Sequence, residues 1–226
     1  ASIAKAHAAR GLRSPTASEL VKSTLRGIKR AYGGSQRRAK PLLIEDLLRI
    51  MPMLGTSPKD LRDKALLLLG FAGGFRRSEL VALDVSDLES VGQGIVVHLR
   101  RSKTDQEGAG RKVGVPHGRT RWCPVTAVSD WLEHAGIENG PVFRPLDRHG
   151  NLSSTRLSGE AVGMVVKARA AAIGHDPDDY SGHSLRAGLA TSAASAGVSS
   201  WKIRAQTGHT SDAMLARYIR DGELFV

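Results

Sequence analysis

Six side chains of this 226-residue chain, taken in order, are of types that could act together on a phosphate: Arg76, Lys103, His183, Arg186, His209 and Tyr218. GFAGGFRRSELVAL sets Arg76 and Glu79 just after a Gly-Gly break, and SGHSLRAG sets His183 and Arg186 three residues apart on one face of a helix start. TGH ends in His209, Tyr218 follows nine residues later, and Lys103 lies in the tight part of a hairpin. A guanidinium presents a planar fork of donors that matches phosphate oxygens. A phenol, with an ordinary pKa near ~10, becomes a nucleophile once a base removes its proton. Histidine can be that base, and lysine can protonate a departing alkoxide. Each element alone has a plainer reading. An HxxR pair arises often by chance, and Arg76 can simply pair with Glu79 on a helix surface. A terminal tyrosine is usually packing and a hairpin lysine is usually solvated, with Arg101 and Lys112 sharing this hairpin. Only the combination and its order are specific.

Other chemistries lack their motifs. There is no Gly-Lys dipeptide, so a Walker A loop is excluded, and GxGxxG, HExxH and GxSxG are also missing. One cysteine, Cys123, excludes an internal disulfide framework and multi-cysteine metal sites. Asp176, Asp178 and Asp179 cluster in GHDPDDYSG, but that is a turn composition in which aspartates cap helices or bond local backbone. No cofactor and no metal are therefore expected.

The elements that must position these residues are mostly helical. Ser14-Pro15 with Thr16-x-x-Glu19 reads as a helix start, and Val21, Leu25, Ile28 and Tyr32 form an apolar stripe ended by Gly33-Gly34. GGSQRRAKP, residues 33–41, reads as a linker. Beyond it the pattern predicts helices at 43–51, 60–72, 78–83, 125–135, 158–173, 183–196, 199–207 and 211–220. Strands at 95–101 and 111–115 form a hairpin around SKTDQEGAG. The expected fold class is mainly α with a small antiparallel β-sheet. Residues 1–32 look like the end of another domain, 33–41 like a joint, and 42–226 like the main domain.

Charge points to a partner. The chain carries 33 Lys and Arg against 22 Asp and Glu, a net +11. Residues 1–40 hold ten basic residues against Glu19, and residues 98–121 hold seven against Asp105 and Glu107. Such stretches suit a polyanion, nucleic acid first and an anionic membrane surface second, although a basic surface can serve solubility alone. Arg37, Arg38, Lys40, Arg77, Arg101 and Lys112 are the candidate DNA-binding residues. The longest nearly apolar run, 65–75, is far short of the ~20 residues that span a bilayer, and no signal peptide is visible. A soluble, cytoplasmic and nucleoid-associated protein without a membrane partner is the expectation.

Together the motifs resemble the tyrosine site-specific recombinases, the phage-integrase family, whose signature runs Arg, a hairpin Lys, HxxR, His or Trp, then Tyr. The likeness spans roughly 41–220 and is closest in GFRRSELVAL, in RSKTDQ, and in GHSLRAG through TGH to RYIR. It implies the tyrosine-recombinase catalytic-domain fold, with 1–32 as the last helices of a core-binding domain. It also implies that a C-terminal segment docking on a neighbouring protomer is short or missing, since eight residues follow Tyr218. The implied activity is integration, excision or resolution between specific recombination sites in double-stranded DNA, by a homotetramer on synapsed duplexes. Arg76, Arg186 and His209 would stabilise the phosphate, His183 would be the base, Lys103 the acid and Tyr218 the nucleophile, forming a 3′-phosphotyrosine without ATP. Glu79 would orient nearby donors. The competing readings are a type IB topoisomerase and a DNA-binding module that has lost catalysis. His7, His98, His117, His134, His149 and His175 are read as structural or surface, and Trp122, Trp131 and Trp201 as packing.

Overall fold

The computed structural model describes residues 2–32, 39–100 and 110–209 together with residues 215, 216 and 218. Arg37, Arg38, Arg101 and Lys103 lie outside the described residues. The chain divides into two units, Ala1–Arg38 and Ala39–Val226. The first holds α1 (Ser2–Ala8) and α2 (Glu19–Tyr32). The expected start of α2 is displaced. Pro15–Ala17 form only a 3-10 turn, and Ser18, in extended backbone, accepts from the Val21 amide at 3.4 Å. Ser18 thus supplies the side-chain oxygen that the Ser14-Pro15 and Thr16-x-x-Glu19 pattern assigned further upstream.

The second unit is built on one buried helix. After α3 (Ile44–Ile50), Ser57 Oγ accepts from the Asp60 amide and opens α4 (Pro58–Ala72), with Pro58 in the first turn where no amide is missed. Residues 65–71 of α4 are buried all round, because the helix packs on both α6 (Pro124–His134) and α8 (Ser184–Ser195). A fully buried leucine contributes roughly 1.5–3 kcal/mol, so Leu66, Leu67 and Leu69 make α4 the fixed frame of the domain. The core is aliphatic, as a 4% aromatic content requires. Trp131 is its largest buried side chain, and its indole N–H donates to the Val142 carbonyl at 2.8 Å. Gly188 lets α8 touch the chain where it enters the domain: a Cβ there would lie 1.8 Å from the Leu42 carbonyl oxygen. Trp201 departs from the packing expectation, being 65% exposed at the start of α9 (Ser200–Thr207).

Between α5 (Arg77–Ala82) and α6 lies a three-stranded antiparallel sheet, β1 (Leu88–Val91), β2 (Gly94–Leu99) and β3 (Arg111–Pro116), in that order. The expected hairpin is β2–β3, with Leu99 opposite Arg111. The sequence pattern missed β1. Its four residues, LESV, are too few and too polar to show alternation, and pairing Leu88 with Val97 and Val91 with Gly94 is what makes them a strand. Arg100 holds the far end of β2 down, its Nε donating to Asp87 at 2.6 Å. Arg156 joins α5's exit to the segment before α7 (Gly159–Ala172), donating to the Val81 and Leu83 carbonyls and to Asp84.

Candidate active site

Four chain segments converge on one cluster of charge. α4 ends at Gly73, and Gly74 turns the chain at φ +58°, where a Cβ would lie 2.8 Å from Leu189 Cδ2. Buried Phe75 anchors the turn, and Arg76 follows at the N-cap position of α5. Its backbone N–H donates to Glu79 Oε2 at 3.0 Å, one guanidinium nitrogen donates to Glu79 Oε1 at 2.5 Å, and the other donates to the Gly208 carbonyl at 3.1 Å. The Arg76–Glu79 pair therefore exists, but with Glu79 buried and Arg76 half-buried at the end of α9 it does not lie on an open helix surface.

Arg186 enters from the first turn of α8 and is only 1% exposed. One of its terminal nitrogens donates to the Gly74 carbonyl at 2.9 Å and to the Thr207 carbonyl. Burial first, and then the Arg76 charge, lowers its pKa to about 10, so it stays cationic at neutral pH. His183 stands one turn earlier at the N-cap position of α8, and its Nε2 lies 2.9 Å from the Tyr218 hydroxyl. Burial, then Arg186 and Arg76, push the His183 pKa below 6.5. A neutral imidazole with a lone pair on Nε2 can accept the phenolic proton.

His209 follows Gly208, whose φ of +66° closes α9 in the left-handed conformation. It is 7% exposed, lies 5.8 Å from the Tyr218 ring centre to centre, and places Nδ1 2.7 Å from Thr207 Oγ1. The Thr207 hydroxyl also donates to the Ile203 carbonyl at 2.7 Å. It has one hydrogen for two neighbours, so its rotation sets whether Nδ1 or Nε2 of neutral His209 carries the proton. Two arginines, two histidines and a tyrosine thus share one site, and the His183–Tyr218 contact bridges 35 residues of sequence.

The model of the phage integrase family matches residues 40–223. The chain belongs to that family. A XerD-homologue integrase/recombinase of Selenomonas ruminantium is 39% identical over 95% of this chain, which spans 64% of that relative's length. Among solved structures, XerH site-specific recombinase in a post-cleavage complex with palindromic difH substrate matches with a TM-score of 0.65 at 15% identity, covering 82% of this chain and 50% of that one. A lambda integrase tetramer bound to a Holliday junction matches with a TM-score of 0.56 at 17% identity, covering 97% and 63%. At these identities the structural matches show the fold: a tyrosine-recombinase catalytic domain, mainly helical with a small antiparallel sheet.

The remaining described candidates of this phage-integrase-family chain lie apart from the cluster. Arg77 is exposed on α5, with its stem over Gly159 and Gly182, and Lys112 is exposed on the outer face of β3. Lys40 Nζ pairs with Asp179 at 2.7 Å, and its backbone N–H donates to the Asp179 carbonyl. Asp178 pairs with Lys167, and Asp176 accepts from the Asp178 amide, so these carboxylates are engaged locally. The sequence reading passed over Arg111, whose guanidinium joins the cluster through Glu79. A signal was present: Arg111 is in phase with buried Val113 and Val115 on β3, whereas Lys112 is out of phase.

Acid should destabilise this domain through His209. Burial first, then Arg186 and its neighbours, lower its pKa from 6.5 to about 4. A proton taken up more readily by the unfolded chain destabilises the fold as pH falls from 6.5 toward 4, by about 3 kcal/mol for this shift. Stability from this source is complete above pH 6.5. Urea unfolding at pH 7 and pH 4.5 should show the loss, and His209→Gln should flatten it. An equal pH dependence in both proteins would contradict the assignment.

Proposed function

We propose that this chain carries the catalytic domain of a site-specific DNA recombinase that cleaves and rejoins strands through a 3′-phosphotyrosine intermediate. One observation carries this reading: the Tyr218 hydroxyl sits 2.9 Å from a histidine whose neutral form burial and two arginines favour. Arg76 and Arg186 bind the non-bridging oxygens of the scissile phosphate, where charge grows in the transition state, and His209 donates beside them. Tyr218 oxygen attacks phosphorus and its proton passes to His183. The bond to the 5′ oxygen breaks, and Lys103 protonates that oxygen as it leaves. One phosphate ester replaces another, so a 5′-hydroxyl can later attack the phosphotyrosine and reform a strand without ATP. Glu79 holds Arg76 by both its backbone and its side chain, which keeps one guanidinium nitrogen at the Gly208 carbonyl.

Residues 1–32, within the unit Ala1–Arg38, are proposed as the last helices of a core-binding domain, followed by a linker at 33–41 and the catalytic domain at 42–226. The charge of residues 1–32, with that of Arg37, Arg38, Lys40, Arg77, Arg101 and Lys112, suits duplex backbone. The partner is double-stranded DNA with specific recombination sites, engaged as a homotetramer on two synapsed duplexes, in the cytoplasm at the nucleoid. A tetrameric lambda integrase on a Holliday junction supports that assembly. Among the described residues no helix is long and apolar enough to cross a membrane.

A nicked suicide duplex, bearing the sequence this chain selects from a random pool, tests the reading. A covalent protein–DNA adduct should accumulate, at the same rate in excess chelator. Binding without an adduct would leave a DNA-binding module, and an adduct that needs magnesium would refute the metal-free mechanism. Exchange between two site-bearing duplexes separates a recombinase from a topoisomerase.

A further inference from the structure

We infer that Arg111 is a positioning residue that locks the phosphate-binding arginines and His209 to the β-hairpin; this rests on the function proposed above. Arg111 opens β3, paired with Leu99 of β2. One terminal nitrogen donates to the Gln206 carbonyl at 2.8 Å, in the last turn of α9, and the other donates to Glu79 Oε2 at 3.3 Å. That carboxylate oxygen also accepts the Arg76 backbone N–H, while its partner oxygen accepts the Arg76 side chain. Gln206 is followed by Thr207, which contacts His209, and by Gly208, which accepts from Arg76. One guanidinium therefore ties three elements at the residues that hold Arg76 and His209.

Two features show that the fit is particular to this side chain. A Cβ on Gly208 would lie 2.9–3.2 Å from the Arg111 guanidinium, so the plane lies against bare backbone that no other residue type would leave open. Arg111 Nε is buried and has no partner among the described residues, a cost that a merely decorative surface arginine would not carry. The charge also matters. Glu79 alone would neutralise Arg76; shared between two guanidiniums it leaves the Arg76, Arg111 and Arg186 group at a net +2 opposite one carboxylate. An anionic transition state then meets a cationic pocket whose geometry is set before it arrives.

Lysine can keep the charge of Arg111 but cannot reach Gln206 and Glu79 at once with a planar fork. Single-turnover adduct formation on the selected nicked duplex separates these roles by resolving rate from amplitude, with duplex affinity and thermal melting measured alongside. Arg111→Met and Arg111→Lys should each slow the rate roughly 10–100-fold, with affinity nearly unchanged. Combined with Glu79→Gln, Arg111→Met should slow the reaction by less than the product of the two single effects, because the two residues share the Arg111–Glu79 contact. A reduced amplitude at the wild-type rate would mean that Arg111 serves folding only and would overturn the inference, as would an additive double variant. If the wild-type chain itself forms no adduct, the proposed function fails first. If it reacts and both Arg111 variants react at its rate, the function stands and the positioning role does not.

Discussion

Tyr218→Phe is expected to abolish the covalent protein–DNA adduct while leaving duplex binding nearly intact. The change removes one oxygen, the atom that lies 2.9 Å from His183 Nε2. The ring stays, and with it the packing on Ala190, Ala194, Ile203 and Leu215. Loss of one hydrogen bond costs about 0.5–1.5 kcal/mol, too little to unfold the domain. Affinity for the duplex comes mainly from cationic groups meeting phosphates, and none of these changes. Adduct formation, by contrast, has no second tyrosine at the site among the described residues. Tyr180 is buried beside His175, their rings stacked 5.3 Å apart, and burial raises its pKa. Denaturing gels of the suicide-substrate reaction measure the adduct directly. A band that persists in the phenylalanine variant would falsify the assignment and turn attention to Tyr180.

Arg186→Lys should slow adduct formation by roughly 10²–10³-fold, the usual cost of one preorganised donor at developing charge. Arg186 is 1% exposed and reaches the Gly74 and Thr207 carbonyls from α8. Those carbonyls belong to the turn that presents Arg76 and to the residue that contacts His209. An ammonium keeps the charge but lacks the second arm, so it can serve the carbonyls or the phosphate and not both. Arg186→Ala should do more harm to the fold, because each carbonyl left buried without a donor costs about 1–3 kcal/mol. The lysine variant therefore gives the cleaner measurement, with the rate taken per folded molecule from melting curves. A melting temperature that falls while the rate per folded molecule holds would assign Arg186 to structure alone.

Local spacing in this chain encodes phase and punctuation, and those were legible. Gly73-Gly74 ahead of Arg76, the His183–Arg186 interval at a helix start and Gly208 after Thr207 all mark helix ends, where backbone rules act over a few residues. The hairpin and the helices from α3 to α9 follow from the same short-range patterns. Even so, Ser18 displaced the expected start of α2, because capping is decided by whichever nearby oxygen meets an open amide. β1 was invisible, since four polar-leaning residues become a strand only by pairing. The motif order by itself determined which residues could act together. Their meeting was decided by tertiary structure alone: Arg76 reaches Gly208 across 132 residues, and Arg111 reaches Gln206 across 95. Arg111 shows the reason. Its strand phase was written in the chain, but its partners were set by how β3, α5 and α9 meet in the folded domain, and no local pattern carries that.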